Sequence, residues 1–242
     1  MKVLAIDTSN QPMSIALVED NELKATTTLN TVLNHSIYVL PTIDELFKRV
    51  GWQPADVDRI VAAKGPGSYT GIRIAVTTAK TLAMTLKKEL VGVSSLQVLA
   101  SNLPPVNDHL IVPFMDARRG NVFAGVYQYN DQQGLQTVVN DQHMSFAELL
   151  TLLKQKHQPA YLVGKMTKRI ERQKLDLPEQ VQLLPASYSF PSTYRLALMG
   201  EKLAPVKQVD DFVPDYLRLT QAERDWQKAH PEAQPQNYVE EV

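Results

Sequence analysis

Residues 63–73 read AKGPGSYTGIR. Three glycines, a proline, the aliphatic hydroxyls of Ser68 and Thr70 and an arginine follow an apolar run, Ile60 to Ala63, and precede a helical pattern. In residues 71–87 the apolar positions Ile72, Val76, Ala79, Leu82, Ala83 and Leu86 fall on one helical face. The stretch therefore predicts a strand, a tight turn and a helix, the repeating step of an α/β fold. A glycine-rich turn of this kind can aim backbone N–H groups at a phosphate. It is not a P-loop, because no Lys-Ser/Thr follows the last glycine, and it is not a nucleophile elbow, because Pro66 and Thr70 stand where glycines would be needed around Ser68. The spacing favours a structural role, with Gly65 and Gly67 supplying positive φ and Gly71 letting the helix pack closely. Gly67 and Ser68 stay weak candidates for cofactor contact.

Outward from the elbow, the pattern builds a lobe. Residues 3–6 form a short apolar strand ending at Asp7, 14–18 a second strand, and 23–29 a third. In residues 35–50 the period changes: Ile37, Leu40, Ile43, Leu46, Phe47 and Val50 recur at spacings of three and four, which predicts a helix with Pro41 bending it. Residues 90–93 read as a strand, Ser94 and Ser95 open a further helix, and 102–108, with two prolines, read as a hinge. The pattern then recurs in weaker form. A strand at 110–115 ends in Asp116, a turn runs through Gly120, and a strand follows at 122–127. Two apolar strands ending in aspartate, each followed by a turn and a second strand, suggest a duplicated lobe. Ser145 and Glu148 form a capping box opening a helix to about 157, 160–163 is a strand, and 192–203 is helical. The expected division is a first lobe over 1–103, a smaller second lobe over 104–222 and a loose tail over 223–242.

Composition narrows the function. Hydrophobic residues make up 44% of the 242, enough for a sizeable core, and the net charge of -1 gives no basic coat for nucleic acid. With no cysteine there is no thiol nucleophile or thiolate metal site. The opening MKVLAIDTSN reads as a buried strand, not a signal peptide, and no run approaches the ~20 apolar residues of a membrane span. A cytoplasmic protein is expected. The five histidines include no pair three to five residues apart, so no helical two-histidine metal site is expected. Asp7 and Asp116 sit where actin-like and sugar-kinase-like ATPases hold Mg-nucleotide, yet neither turn has a glycine within two residues. Capping of the local turn is the simpler role for both. Arg118 and Arg119 read either as an anion site or as a solvated ion-pair patch.

The assembled motifs resemble a known family. Asp7-Thr-Ser, His35-Ser36, Leu40-Pro41, Gly65-Pro-Gly-Ser-Tyr-Thr-Gly-Ile-Arg73, Ala79-Lys80, Asp116-Ala-Arg-Arg-Gly120 and Pro214-Asp-Tyr-Leu-Arg218 stand in order over nearly the whole chain. This is similar to the TsaB (YeaZ) family of bacterial tRNA threonylcarbamoyladenosine biosynthesis proteins. The resemblance implies an α/β fold of duplicated actin-like (ASKHA, ribonuclease H-like) lobes, with mixed sheets flanked by helices. It implies a non-catalytic pseudo-enzyme subunit that heterodimerises with its paralogue TsaD and recruits the ATPase TsaE. TsaD transfers a threonylcarbamoyl group onto the adenosine next to the anticodon of ANN-reading tRNAs, so tRNA would be met through the complex. TsaD carries an H-x-x-x-H metal pair, and Ser95 and Leu99 stand in its place here. The resemblance implies no intrinsic cofactor and no metal; ATP or ADP would bind only at the shared interface of the complex. A homodimer of the isolated chain stays open. The partner surface is expected on the two first-lobe helices, at His35, Tyr38, Gly71, Ile74, Thr78 and Met84, with Leu33 near the start. The alternative is a free-standing ATP-dependent phosphotransferase of the same fold; a peptidase role, an older label for relatives, finds no nucleophile or metal pair.

Overall fold

The computed structural model describes residues 1–31, 34–106 and 108–218. Leu33 and the 223–242 tail lie outside them. The first sheet comprises β1 (Lys2–Asp7), β2 (Met13–Glu19), β3 (Glu22–Leu29), β4 (Arg59–Gly65) and β5 (Glu89–Ser94), in the order β3-β2-β1-β4-β5. The second comprises β6 (Leu110–Asp116), β7 (Asn121–Tyr129), β8 (Leu135–Ser145), β9 (Ala160–Val163) and β10 (Val181–Leu183), in the order β10-β9-β6-β7-β8. In each, the first three strands form an antiparallel meander and the last two run parallel to the first. The two orders are the same in repeat positions, so the weak internal repeat is a duplication of topology, and the fold is the actin-like, ribonuclease H-like one. The strands β8 and β10 carry no signal that the sequence reading picked out.

Among the described residues six α-helices complete it: α1 (His35–Val50), α2 (Tyr69–Leu86), α3 (Ser95–Ala100), α4 (Phe146–Lys156), α5 (Lys168–Glu171) and α6 (Thr193–Glu201). The central strands are buried on both faces, and the two-residue period of a strand sorts their side chains. Leu4, Ile6, Ile60 and Ala62 point into the core under α1 and α2, while Val3, Ala5, Val61 and Ala63 point into the core under α6. The capping box at α4 forms as expected, with Ser145 Oγ accepting from Glu148 N at 3.1 Å and Glu148 accepting from Ser145 N at 2.7 Å.

The last helix of each repeat crosses to the other sheet. In α3 the residues Leu96, Leu99 and Ala100 pack with Ile111, Phe123 and Tyr127 of the second sheet. In α6 the residues Leu196 and Ala197 pack on the first sheet, and Phe212 beyond it enters the first core. Residues 192–212, expected within the second lobe, thus sit on the first. Ser14 on β2 hydrogen-bonds Thr193 at 2.9 Å and fixes the start of α6 there. No helix among the described residues is long and apolar enough to cross a membrane.

Candidate functional site

The elbow meets the turn after β1. Ser68 N donates to Ser9 O at 2.7 Å, and Thr8 Oγ1 donates to Gly71 O at 2.6 Å. A Cβ on Gly67 would stand 2.2 Å from Ser9 O, and one on Gly71 2.1 Å from Thr8 O. Both are far inside contact distance, so two backbones approach here as only glycine allows. Gly65 alone of the elbow glycines has positive φ, at 118°. The expectation of positive φ at Gly67 is corrected: the Ser9 carbonyl, not the dihedral, demands glycine there.

Asp7 is fully buried under this junction. Its Oδ1 accepts from Ser9 N at 2.8 Å and its Oδ2 has no partner. Burial pushes the carboxyl up from its ordinary range, against the hydrogen bonds from Ser9 and the nearby charge of His35. In the second repeat, Asp116 Oδ1 accepts from Arg118 N at 2.7 Å in the same two-residue turn. Each aspartate thus caps its own turn. Asp116 is more open, and its Oδ2 accepts from Thr167 Oγ1 at 2.7 Å with Arg169 3.7 Å away.

Between the lobes lies a cavity of about 980 Å³. One wall is the N-terminal end of α2, residues 67–70; the other is the 115–119 turn with Arg169. The late motif threads between them. Asp215 N donates to Lys64 O at 2.7 Å, Tyr216 stacks on Tyr69 at 4.8 Å, and Arg218 Nη1 donates to Ala117 O at 2.6 Å. Sequence reasoning gave Gly67, Ser68, Asp116, Arg118 and Arg119 but missed Arg169, Asp215, Tyr216 and Arg218, which lie far off in the chain. The family motif at 214–218 held the only signal for the last three. Asp7, paired with Asp116 in the reading, does not line the cavity. Deeper at the junction, Asp141 on β8 accepts from Ser94 Oγ of the first lobe and from the Tyr127 hydroxyl of the second. Burial pushes its carboxyl up as well.

A family model described as TsaD, tRNA N6-adenosine threonylcarbamoyltransferase, matches residues 30–226. The tRNA threonylcarbamoyladenosine biosynthesis protein TsaB of Bacillus subtilis (strain 168) is 40% identical over 228 residues, 93% of this chain and 98% of that relative. The chain belongs to the TsaB family. A tRNA N6-adenosine threonylcarbamoyltransferase of Anaeromyxobacter sp. (strain Fw109-5) is 31% identical over 113 residues, 40% of this chain and 34% of that relative. YeaZ from Pseudomonas aeruginosa matches in fold, with a TM-score of 0.71 at 23% identity over 89% of this chain and 99% of that one.

Positions 95 and 99 have structural roles. Ser95 Oγ accepts from Gly65 N at 3.2 Å, behind the elbow, and Leu99 lies in the core between α3 and the second sheet. The six residues expected at the partner surface divide. Met84 is 50% exposed, and Thr78 is half-buried on the same helix. Tyr38 and Ile74 are half-buried and pack on the first core. His35 is half-buried with Nε2 3.1 Å from Asn10 O. Gly71 is buried against Thr8 and offers no surface. What the reading missed is on α1. Ile37 and Leu40, expected in the core, are 62% and 56% exposed, because the buried face runs through Val39, Ile43, Leu46 and Phe47.

Proposed function

We propose that the chain serves tRNA threonylcarbamoyladenosine biosynthesis as a non-catalytic subunit that docks its α1 and α2 helices onto the paralogue TsaD. The observation that carries this is the apolar exposure of Ile37 and Leu40 on α1 and Met84 on the adjacent α2. Scattered surface hydrophobes are ordinary, but here three large ones stand on two neighbouring helices of one lobe, Ile37 and Leu40 near the start of α1 and Met84 near the end of α2, so a partner laid along both helices would cover them. A paralogue of the same fold presents a matching helix pair, so the contact would pair like with like about a pseudo-twofold axis. The same patch would pair two copies of this chain when TsaD is absent. The pseudo-enzyme reading is supported by the structural use of Ser95 and Leu99 and by the burial of Asp7 behind Ser9. TsaE would join this pair, ATP or ADP would bind at the shared interface alone, and tRNA would meet the complex in the cytoplasm.

A side chain central to such a contact contributes ~2 kcal/mol or more on truncation. Ile37→Glu and Met84→Glu should each weaken binding to TsaD by at least that much in calorimetry, with circular dichroism unchanged because both positions are exposed. Ile74→Glu is the poorer probe, since Ile74 packs on the core. Unchanged affinity in both exposed variants would place the interface elsewhere. A nucleotide titration that finds turnover by the isolated chain, abolished by Asp7→Ala, would favour the phosphotransferase alternative.

A further inference from the structure

Resting on the docking reading above, we infer that the turn after β1 is a shared anchor that sets the starts of α1 and α2 against each other. Thr8 and His35 are then positioning residues for the face that meets TsaD. Three consecutive residues of the turn each hold a helix. Thr8 Oγ1 donates to Gly71 O at 2.6 Å, Ser9 O accepts from Ser68 N at 2.7 Å, and Asn10 O accepts from His35 Nε2 at 3.1 Å. The first two bonds hold α2 and the third holds α1. A carbonyl can only accept, so His35 Nε2 carries a proton here. The turn is itself closed: Thr8 and Ser9 are fully buried, and Asp7 Oδ1 accepts from Ser9 N at 2.8 Å.

These bonds do more than satisfy polar groups. Gly71 O lies inside α2, where the helix ladder already supplies an N–H four residues on. The Thr8 hydroxyl is therefore a tie between elements, not the remedy for an orphaned carbonyl. In α1 the cap is made without the imidazole, since the Asn34 side chain accepts from Ser36 N. Both helices lay their apolar faces on one core, through Ile43 and Phe47 of α1 and Val76 and Ala79 of α2. Apolar packing is non-directional, so directional bonds are what fix the slide and tilt of each helix. Ile37 and Leu40 follow closely on His35, about 3 and 8 Å along α1. Met84 lies near the far end of α2, about 20 Å from Gly71. A tilt of about 10° at the anchored end would move Met84 by about 3–4 Å, enough to part it from a partner side chain. His35, expected on the partner surface, thus serves that surface from inside the chain.

The test uses the full chain, whose lack of cysteine lets labels be placed at chosen sites. Spin labels on Leu40→Cys and Thr77→Cys, both exposed positions, read the separation of the two helices in the free chain. Calorimetry on unlabelled chain reads the affinity for TsaD. Thr8→Val and His35→Ala should each broaden or shift the distance distribution. Each should also weaken TsaD binding about tenfold, the loss of one hydrogen bond, at a temperature where circular dichroism shows the variant folded. Thr8→Ser and His35→Gln keep a donor in place and should restore both readouts, whereas a packing role would follow side-chain volume instead. The proposal is overturned if Thr8→Val and His35→Ala leave the distances as in wild type. It is also overturned if they change the distances without weakening TsaD binding, or if the serine and glutamine variants fail to rescue. Ile37→Glu keeps the two readings apart. If it weakens TsaD binding while Thr8→Val and His35→Ala do not, docking stands and the anchor falls. If neither Ile37→Glu nor Met84→Glu weakens binding, the docking face lies elsewhere, and the label distances alone confirm or overturn the anchor.

Discussion

The two lobes share one strand order but differ after the fourth strand. In the first, β4 leads through the glycine elbow into an 18-residue helix; in the second, β9 leads through Gly164 to a four-residue helix, α5. The first lobe keeps two long helices and shows apolar side chains on their outer faces. The second covers its core with a shorter pair, the 11-residue α4 and the four-residue α5, and its 115–119 turn and α5 carry arginines to the cleft. Duplication thus left one topology with two different surfaces, exposed apolar side chains on long helices in the first lobe and arginines at the cleft in the second. The lobes are joined because each repeat lends its last helix to the other sheet, so one face of each sheet is covered by its neighbour's helix.

The largest break in this comparison should come at the elbow. In Gly71→Val the new Cβ would stand 2.1 Å from Thr8 O, and neither strand nor helix backbone can yield. We expect a loss of about 4 kcal/mol or more, together with TsaD binding, because α2 can no longer seat on the β1 turn. Gly164→Ala in the second lobe meets Phe114 O at 2.4 Å and should also destabilise, yet at equal folded fraction it should leave docking intact. Gly51→Ala is the control. Its φ is 77° with nothing within 4 Å of a Cβ, so the cost should be about 1 kcal/mol. Denaturant melts of the three would rank them, and a wild-type midpoint for Gly71→Val would make the close approach incidental.

The next effect concerns the exchanged helices, which are anchored unequally. Arg59 on β4 is buried, pairs with Glu89 at 2.6 Å, and donates to the carbonyls of Gly200, Glu201 and Leu203 at 2.7, 3.1 and 3.0 Å. It ties the end of α6 to the first sheet. After α3 the corresponding tie is Asn102 Nδ2, which donates to Tyr188 O and Phe190 O at 2.8 Å each. Arg59→Met should cost about 2–4 kcal/mol, since three carbonyls lose a charged donor. Asn102→Ala should cost about 1 kcal/mol. Hydrogen exchange should then show α6 opening first in the Arg59 variant. Equal cost for the two would mean that the helices are held by apolar packing alone.

Much of this was legible in the sequence for physical reasons. The short apolar strands, the Ser145–Glu148 cap and the glycine elbow are local, and local signals survive folding. Even the paired aspartate turns were readable, because each carboxylate bonds a neighbour two residues on. The face of α1 was not. A run spaced strictly by three, as in Ile37, Leu40, Ile43 and Leu46, drifts about 60° around a helix at each step. Ile37 therefore ends opposite Leu46, exposed where the spacing suggested core. Nor could spacing show that Arg169 and Arg218 would join Arg118, or which sheet α3 and α6 would cover. Those facts arise only when separate segments are brought together.

The smallest effect should separate the two aspartate turns by pH. Burial raises the Asp7 carboxyl, and its Oδ2 has no partner, so the folded chain holds that proton more tightly than the unfolded chain does. Between the ordinary aspartate pKa of about 3.9 and the raised folded value, the native state binds more protons than the unfolded one. Stability from this group is therefore greatest below that window and falls as pH rises through it. Above it, ionised Asp7 carries the cost of burial. Asp7→Asn keeps the acceptor for Ser9 N and removes the charge. Its melting temperature should match wild type or fall slightly below it near pH 4, and exceed it by a few degrees at pH 8. Asp116→Asn keeps an acceptor for Arg118 N but puts an amide N–H against Thr167 Oγ1 and removes the charge beside Arg169, so it should lower the melting temperature at pH 8 rather than raise it. If Asp7→Asn is the less stable protein at pH 8, the Asp7 carboxylate has a partner that offsets its burial, and the contrast between a sealed turn and an open one fails at this point.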